Sequence, residues 1–229
     1  MAINSLKNKG ITILDRYKKD KPKIPTQGAV VIIFSTFLTI TFSQVFNFYQ
    51  LNTLDISILL VIAMFGLYGL VDDLIDLGWG IKVILPLSFS FPLFAILNPD
   101  NILIPFFGRI FISDFTLGPL ENLGIDSLSI FRIAVISVYL MVVVNLVNMH
   151  SGFNGLQSGI SFILLITVLT KSVIDEKSDS IIISASFLGG ILAFWLFNKY
   201  PSRIIEGNID SSIFGAALGT LIIIKEYYF

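Results

Sequence analysis

Seven stretches of mostly apolar residues alternate with short polar segments along almost the whole chain. They cover approximately residues 27–48, 54–71, 81–97, 130–147, 156–173, 180–197 and 212–224. A hydrocarbon core of roughly 30 Å requires a helix of about twenty apolar residues. The pattern therefore predicts an all-α polytopic membrane protein with about seven transmembrane helices. The shorter stretches require little tilt or local thinning of the bilayer.

Two features interrupt the helical pattern. Pro86 and Pro92 lie in the third stretch and predict a kink, because proline removes a backbone N–H from the helix. Residues 101–120 alternate apolar and polar positions around Gly108, which predicts a short β-hairpin outside the bilayer. We interpret residues 1–229 as one integral membrane domain, with a cytoplasmic basic segment at 1–26 and an extracytoplasmic loop at 98–129.

The composition supports membrane insertion and excludes several other classes. The chain is 55% hydrophobic and only 14% charged, whereas about 25% of a soluble domain is charged. The absence of cysteine excludes a disulfide framework and thiolate chemistry. The net charge of −1 gives no reason to expect nucleic acid as a partner. Residues 1–26 lack the apolar core of a signal peptide, so we expect them to belong to the mature protein.

The distribution of basic residues predicts the orientation. Segments on the N-terminal side carry twice as many Lys and Arg residues as segments on the opposite side. The positive-inside rule then predicts a cytoplasmic N-terminus and an extracytoplasmic C-terminus. With this orientation, the polar segments 72–82, 145–157 and 199–210 share the cytoplasmic face with the basic N-terminal segment. The sequence therefore predicts a single active site on that face.

An acidic pair, Asp72 and Asp73, ends the second apolar stretch, and Asp76 and Lys82 follow it. Carboxylates at the edge of the hydrocarbon are costly and are functional candidates, although the alternative is a solvated loop start. Two unit charges 4 Å apart repel by about 4 kcal/mol at an effective dielectric constant near 20, so two phosphate groups need cations to approach. Mg²⁺ prefers oxygen ligands. The cluster therefore suits a phosphate-bearing substrate with a divalent cation.

The second polar segment is rich in asparagine and glycine. Asn145 and Asn148 are three residues apart on one face of a helix end, and Gly152 and Gly155 flank Asn154. Glycine permits close backbone approach to a ligand, and carboxamides can bind a hard cation or a base edge. The alternative is helix capping and turn formation.

The third polar segment precedes the last apolar stretch. Gly207 to Asp210 form a turn before a helix, which can present backbone N–H groups to an anion. The alternative is a plain capped helix start with Asp210 or Ser211 as the N-cap. Gly215 and Gly219 have the spacing that predicts close helix packing.

Two other features have alternative interpretations. His150, the only histidine, is either a surface residue or a catalyst. The lysines at 18, 19, 21 and 23 are interpreted as topology signals or lipid-headgroup contacts, except for Lys21, which belongs to a motif described next.

Four ordered motifs resemble those of the polyprenyl-phosphate N-acetylhexosamine-1-phosphate transferases of glycosyltransferase family 4. They are residues 21–28, residues 70–86 with the acidic pair, residues 145–156, and residues 200–203 followed by Gly207. The resemblance is strongest to the archaeal and eukaryotic dolichyl-phosphate GlcNAc-1-phosphate transferase branch and covers nearly the whole chain. Compared with that family, the chain is expected to be shortened at both ends.

The resemblance implies a reaction and a set of site residues. The phosphate of a polyprenyl or dolichyl phosphate attacks the β-phosphorus of UDP-N-acetylglucosamine or a related UDP-N-acetylhexosamine, releasing UMP and beginning a lipid-linked glycan. The implied cofactor is Mg²⁺, with Mn²⁺ as an alternative. The expected catalytic residues are Asp72, Asp73 and Lys82, with Lys82 at the diphosphate. The expected metal ligands are Asn148 and Asn208, and Gln27 and Asn154 are expected to bind uridine. The full set of expected substrate-binding residues is Lys21, Gln27, Asn145, Gly152, Asn154 and Arg203.

One position departs from the family pattern. The family has Gly-Asp where this chain has Gly207-Asn208, so a carboxylate has become a carboxamide. Asparagine keeps an oxygen ligand but loses the negative charge, which should weaken Mg²⁺ binding. We expect Asp210, two residues later, to compensate as a further metal ligand.

The alternative to a transferase is a catalytically impaired homologue or fragment that binds lipid phosphate or nucleotide, or acts as a partner subunit. A transporter is disfavoured, because transport sites lie near the bilayer midplane and the charges here cluster at one face. The expected partners are the UDP-sugar, the lipid phosphate and the bilayer, with no nucleic acid, and a homodimer is an arrangement that the sequence leaves open. The expected location is a multi-pass integral membrane protein, in the plasma membrane if archaeal.

Overall fold

The structure is a computed structural model that describes residues 2–15, 18–94, 101–104, 108–111, 127–174 and 181–227. These residues form nine α-helices and two small antiparallel sheets of two strands each. In chain order, they are α1 (Ala2–Asn8), β1 (Thr12–Leu14), β2 (Lys23–Pro25), α2 (Ala29–Val45), α3 (Thr53–Ile75), α4 (Trp79–Ser88), α5 (Phe91–Phe94), β3 (Asn101–Ile104), β4 (Gly108–Phe111), α6 (Ser127–Met149), α7 (Leu156–Ile174), α8 (Ile181–Asn198) and α9 (Asn208–Tyr227).

The helices confirm the predicted fold class, a polytopic α-helical membrane protein. In the described part of the chain, four helical segments are long and apolar enough to cross a membrane: α3, residues 133–152, α7 and α8. Residues 29–45, 79–93 and 208–224 form shorter apolar helices. Large apolar side chains also face outward, including Phe34 at 69% and Phe42 at 55% exposure. Outward-facing apolar surface on this scale suits contact with lipid tails.

Helix α3 is longer than the apolar stretch that predicted it. It begins with a capping box, in which Asn52 accepts the Asp55 N–H at 2.8 Å and the Asp55 carboxylate accepts the Asn52 N–H at 3.1 Å. It ends at Ile75, and the next residue, Asp76, has a left-handed backbone with φ of 47°. The predicted end at residue 71 marks where apolar residues stop, whereas the backbone hydrogen bonds continue through Asp72 and Asp73.

The predicted kink in the third stretch is confirmed as a break between α4 and α5. Pro86 lies in the last turn of α4, and the Phe89 N–H donates to its carbonyl at 3.3 Å. The Ser90 hydroxyl at the break hydrogen-bonds the Ser137 hydroxyl of α6, so a neighbouring helix supports the interruption. The end of the predicted stretch, residues 95–97, lies outside the described residues.

Helix α9 is the centre of the bundle. Residues 209–224 are all buried except the half-buried Ile222, and the helix packs against α2, α3, α6 and α7. A Cβ added at Gly215 would lie 2.6 Å from the Val144 Cα of α6, and one at Gly219 would lie 2.8 Å from the Leu140 Cδ2. The prediction that these glycines serve helix packing is therefore confirmed. Small residues permit such contact where lipid supplies no hydrophobic drive between helices.

Two hairpins accompany the bundle. Strands β3 and β4 confirm the predicted hairpin, pairing Asn101 with Phe111 through to Ile104 with Gly108. The rest of the predicted loop, apart from the first turn of α6 at residues 127–129, lies outside the described residues. The hairpin of β1 and β2, which pairs Ile13 with Ile24, was not predicted. Its strands have three residues each, too few for an alternating pattern to emerge from a lysine-rich segment.

The helix directions bring the three polar segments to one end of the bundle, called the polar end below. The last turn of α3, the turn between α6 and α7, and the loop from α8 to α9 meet there. A Cβ added at Gly155, which has φ of +79°, would lie 2.8 Å from the Lys199 Cα, so the second and third segments touch directly. The three polar segments therefore lie together at the same end of the folded chain, as the sequence predicted.

Candidate functional site

A polar cavity of about 280 Å³ lies at the polar end. Its lining combines the first hairpin, α3, the turn between α6 and α7, and the start of α9. The lining residues are Ile13, Leu14, Asp15, Asp73, Asn148, Ser151, Gly152, Asn154, Ile205, Glu206, Gly207 and Asn208.

Asp73 connects α3 to the start of α9. Its two carboxylate oxygens accept the backbone N–H groups of Asn208 at 2.9 Å and Ile209 at 3.2 Å. These N–H groups have no partner within their own helix, and the helix dipole favours a negative charge beside them. A Cβ added at Gly207 would lie 2.9 Å from the Asp73 Oδ2 and 2.8 Å from the Thr26 Oγ1, so this turn requires glycine.

The neighbouring Asp72 has different partners. Its Oδ1 lies 2.8 Å from the Lys82 Nζ and accepts the Leu77 N–H at 2.9 Å. The side chain of Asp72 is 6% exposed, whereas that of Asp76, 3.1 Å from the same Lys82 Nζ, is 95% exposed. The two adjacent carboxylates therefore have different roles. Asp73 lines the cavity, and Asp72 forms an ion pair with Lys82 of α4.

The asparagine-rich turn contributes three of its four predicted residues to the cavity. Asn148, Gly152 and Asn154 line it. Asn145 is exposed, and its amide donates to the Met141 carbonyl of its own helix at 2.8 Å. His150 is also exposed, and its Nδ1 hydrogen-bonds the Leu146 carbonyl at 2.6 Å.

Asp15 and Glu206 are two lining residues that the sequence analysis missed. Asp15 is 1% exposed, pairs with the Lys18 Nζ at 2.9 Å and accepts from the Asn154 amide at 3.3 Å. The one available signal was that Asp15 and Asp20 are the acidic residues within the otherwise basic segment 1–26.

Glu206 belongs to a buried polar network. Its carboxylate accepts from the Asn198 amide at 2.7 Å and from the Ser158 hydroxyl at 3.3 Å. Burial raises the pKa of Glu206 above its ordinary value. The network joins α7, α8 and the segment before α9, and no local pattern in the sequence indicates it.

Asp210 forms hydrogen bonds to backbone groups inside the protein. It is fully buried, and its two oxygens accept the backbone N–H groups of Gly207, at 2.6 Å, and Ala29. The side chain therefore joins the first turns of α2 and α9, and it does not line the cavity. Asp210 is not the N-cap, because α9 begins at Asn208; its carboxylate accepts the Gly207 N–H from within the first turn of the helix.

Seven predicted site residues lie outside the cavity lining: Asp72, Lys82, Asn145 and Asp210, described above, and Lys21, Gln27 and Arg203. Lys21 is exposed in the turn between β1 and β2, with φ of 40°. Gln27, with φ of 66°, lies two residues before the start of α2. Arg203 is exposed, with its Cζ 5.2 Å from the centre of the Phe197 ring, and it lines a second cavity of about 390 Å³ between α1, α2 and α8.

The donor set at the first cavity fits a cation that also binds substrate phosphates. Among the described residues, no group of three or more His, Asp or Glu side chains could hold a metal by itself. Asp73, Asn148 and Asn208 nevertheless bring carboxylate and amide oxygens to one lining. Mg²⁺ commonly uses one or two protein carboxylates, several waters and substrate phosphates. The carboxylate oxygens of Asp73 each keep a second lone pair for such a ligand.

The helical bundle and its oxygen-rich cavity at one end define a polytopic membrane protein with a polar site beside the bilayer. The chain belongs to glycosyl transferase family 4, whose sequence model matches residues 55–226.

Relatives in this family carry names for two related reactions. The chain is 31% identical over 212 residues to a putative UDP-N-acetylglucosamine–dolichyl-phosphate N-acetylglucosaminephosphotransferase of Saccharolobus solfataricus, covering 90% of this chain and 60% of the relative. It is 31% identical over 209 residues to the phospho-N-acetylmuramoyl-pentapeptide-transferase of Listeria welshimeri, covering 89% and 62%. The chain thus spans about three fifths of the length of these relatives.

Proposed function

We propose that the protein transfers N-acetylglucosamine 1-phosphate, or a related sugar 1-phosphate, from a UDP-sugar to a polyprenyl or dolichyl phosphate. The products are UMP and a lipid-linked sugar diphosphate, the first intermediate of a lipid-linked glycan. We place the cavity on the cytoplasmic face of the membrane, where a UDP-sugar is available and where the basic residues are concentrated.

One observation carries the proposal. Residues from all three polar segments and from the N-terminal hairpin line one cavity beside the membrane. A lipid phosphate can reach such a site from the bilayer, and a sugar nucleotide can reach it from water. The names of the archaeal and bacterial relatives support the same reaction class.

The chemistry requires two anions to be brought together. An oxygen of the lipid phosphate forms a bond to the β-phosphorus of the UDP-sugar, and the bond from that phosphorus to the bridging oxygen breaks. The bridging oxygen leaves with UMP. A phosphate monoester with a second pKa near 6 is mostly dianionic at pH 7, so the attacking oxygen carries no proton that must be removed. We therefore assign Asp73 and Asp72 to positioning.

Different residues are assigned to charge neutralisation and to positioning. Lys82, held by Asp72 at 2.8 Å, provides a fixed cation for phosphate oxygens. Asp73 fixes the first turn of α9, where Asn208 lines the cavity together with Asn148. Mg²⁺ bound by Asp73, Asn148 and Asn208 would neutralise the diphosphate charge. Positioning and charge neutralisation supply most of the acceleration in phosphoryl transfer.

The test is a transferase assay with the purified chain in lipid nanodiscs. UDP-N-acetylglucosamine, polyprenyl phosphate and Mg²⁺ are supplied, and UMP and the lipid product are measured. We expect both products in equal amounts, dependent on the cation and abolished by Asp73→Ala. UMP without the lipid product would indicate hydrolysis and would contradict the proposed acceptor.

The second candidate is a catalytically impaired relative that binds the same ligands. Asn208 favours it, because the carboxamide lacks the charge of the family's aspartate. Labelled UDP-N-acetylglucosamine or lipid phosphate that binds without forming UMP would establish this alternative. The same assay, with an added binding measurement, separates the two candidates.

A further inference from the structure

We propose that Asp15 is a specificity-determining residue, which selects uracil over cytosine by fixing the orientation of the Asn154 amide. The inference rests on the proposed function, because it takes the cavity as the binding site for the nucleotide of the sugar donor. It concerns a residue of the N-terminal hairpin, which lies outside the matched family region of residues 55–226.

The first step is the hydrogen bond between the two side chains. The Asn154 Nδ2 donates to the Asp15 Oδ2 at 3.3 Å, and both residues line the cavity. A carboxylate can only accept hydrogen bonds, so the nitrogen of the amide must face Asp15. The amide oxygen of Asn154 is then the group that remains to contact a ligand.

The second step is the rigidity of Asp15 itself. Its carboxylate is held by the Lys18 Nζ at 2.9 Å, and its backbone N–H donates to the Pro22 carbonyl at 3.0 Å. The residue is 1% exposed and directly follows β1. A buried carboxylate fixed on both its backbone and its side chain cannot turn to accommodate a reversed amide.

The third step is the difference between the two pyrimidines. Uracil carries an N3–H donor between two carbonyl oxygens, whereas cytosine carries an unprotonated N3 acceptor beside its amino group. An amide oxygen in the cavity accepts from the uracil N3–H and faces the cytosine N3 acceptor without a shared proton. A site that leaves a buried polar group unpaired discriminates strongly against the mismatched ligand.

The experiment measures nucleotide preference directly. The full chain is purified in detergent with Mg²⁺, and the dissociation constants of UDP and CDP are determined by calorimetry. In Asp15→Asn, residue 15 can donate as well as accept, so the Asn154 amide is free to reverse. We expect the UDP-to-CDP affinity ratio to fall about tenfold, the loss that corresponds to one ordinary hydrogen bond.

Two further variants distinguish orientation from a general loss of structure. Lys19→Gln removes one positive charge from the exposed turn of the same hairpin but keeps both Lys18 and the bond from Asn154 to Asp15, so the affinity ratio should stay within about twofold of the original. Asn154→Ala should lower the ratio as Asp15→Asn does, and the double variant should lower it no further, because both changes remove the same interaction.

The outcomes separate this inference from the proposed function. A uracil preference that survives in Asp15→Asn, or that falls equally in Lys19→Gln, overturns the inference and leaves the proposed function intact. Additive effects in the double variant also overturn it. An original protein that binds neither nucleotide overturns both.

Discussion

At the scale of single residues, adjacent acidic side chains serve different partners. Asp72 is paired with Lys82 and the Leu77 N–H, whereas Asp73 binds the first turn of α9. The pair occupies the last turn of α3, where successive side chains point in different directions around the helix axis. Each carboxylate therefore has its own donors, which lowers the cost of placing two charges at the membrane edge.

Asp72→Asn and Asp76→Asn form a matched pair of variants. Both remove a carboxylate from Lys82, but Asp72 is 6% exposed and Asp76 is 95% exposed. We expect Asp72→Asn to lower kcat at least about 100-fold, because the lysine loses its buried partner. Asp76→Asn should change it less than about fivefold, since exposed ion pairs contribute little. Equal losses of UMP formation in the two variants would contradict the assigned role of Asp72.

Asn208→Asp tests the proposed cation site. The restored carboxylate lies beside Asp73, so without a cation the two charges repel and the melting temperature should fall. With Mg²⁺, the added charge should lower the concentration needed for half-maximal UMP formation by about tenfold and restore stability. Asn208→Ala is the control and should raise the required concentration. Superimposable Mg²⁺ titrations of the original and Asn208→Asp proteins would exclude Asn208 as a ligand.

At the scale of elements, the approach of α3 to α9 positions the site. A Cβ added at Gly69 would lie 2.6 Å from both the Asn208 carbonyl oxygen and the Ile209 Cα. The same two residues supply the N–H groups that Asp73 binds one turn later. The glycine therefore sets the distance over which the carboxylate reaches the start of α9.

Gly69→Ala should separate these helices. The added methyl group meets backbone atoms that cannot rotate away, and overpacking of this kind costs about 1–3 kcal/mol. We expect a lower melting temperature in detergent and a loss of UMP formation. Gly189→Ala is the control, because a Cβ there meets nothing within 4 Å, and it should be neutral or stabilise α8 by up to about 1 kcal/mol. An unchanged Gly69→Ala protein would show that α3 and α9 can separate freely.

The elements differ in how well local sequence predicted them. The apolar stretches located every long helix in the part of the chain that the structure describes, because a span must be both apolar and helical in lipid. The end of α3 was missed by four residues, since hydropathy changes at Asp72 but hydrogen bonding does not. The pairing of β1 with β2 depends on a contact across a lysine-rich turn, for which the sequence carries no periodic signal.

At the scale of the whole molecule, the described helices bring the three polar segments 72–82, 145–157 and 199–210 to one end, and the side of the membrane that this end faces is a prediction. The chain has no cysteine, so single cysteines can report it. Asp76→Cys lies at the polar end, and Gln50→Cys lies in the loop between α2 and α3. A membrane-impermeant maleimide should label Cys at 50 on intact cells and Cys at 76 on inverted vesicles. The reverse pattern would place the cavity outside and contradict the proposed use of a UDP-sugar.

The sequence by itself determined the membrane class, the apolar helices of the described residues and, through the family motifs, five of the residues that line the cavity, because hydropathy and motifs are local properties. Asp73, Asn148, Gly152, Asn154 and Asn208 were all identified before their positions were known. Only the tertiary structure decided which partner each acidic side chain has. Asp72 pairs with Lys82, Asp210 accepts backbone N–H groups at the starts of α2 and α9, and Asp15 of the N-terminal hairpin accepts from the Asn154 amide. Two of these contacts, from Ala29 to Asp210 and from Asn154 to Asp15, join residues more than 130 positions apart in the chain, so no local pattern indicates them.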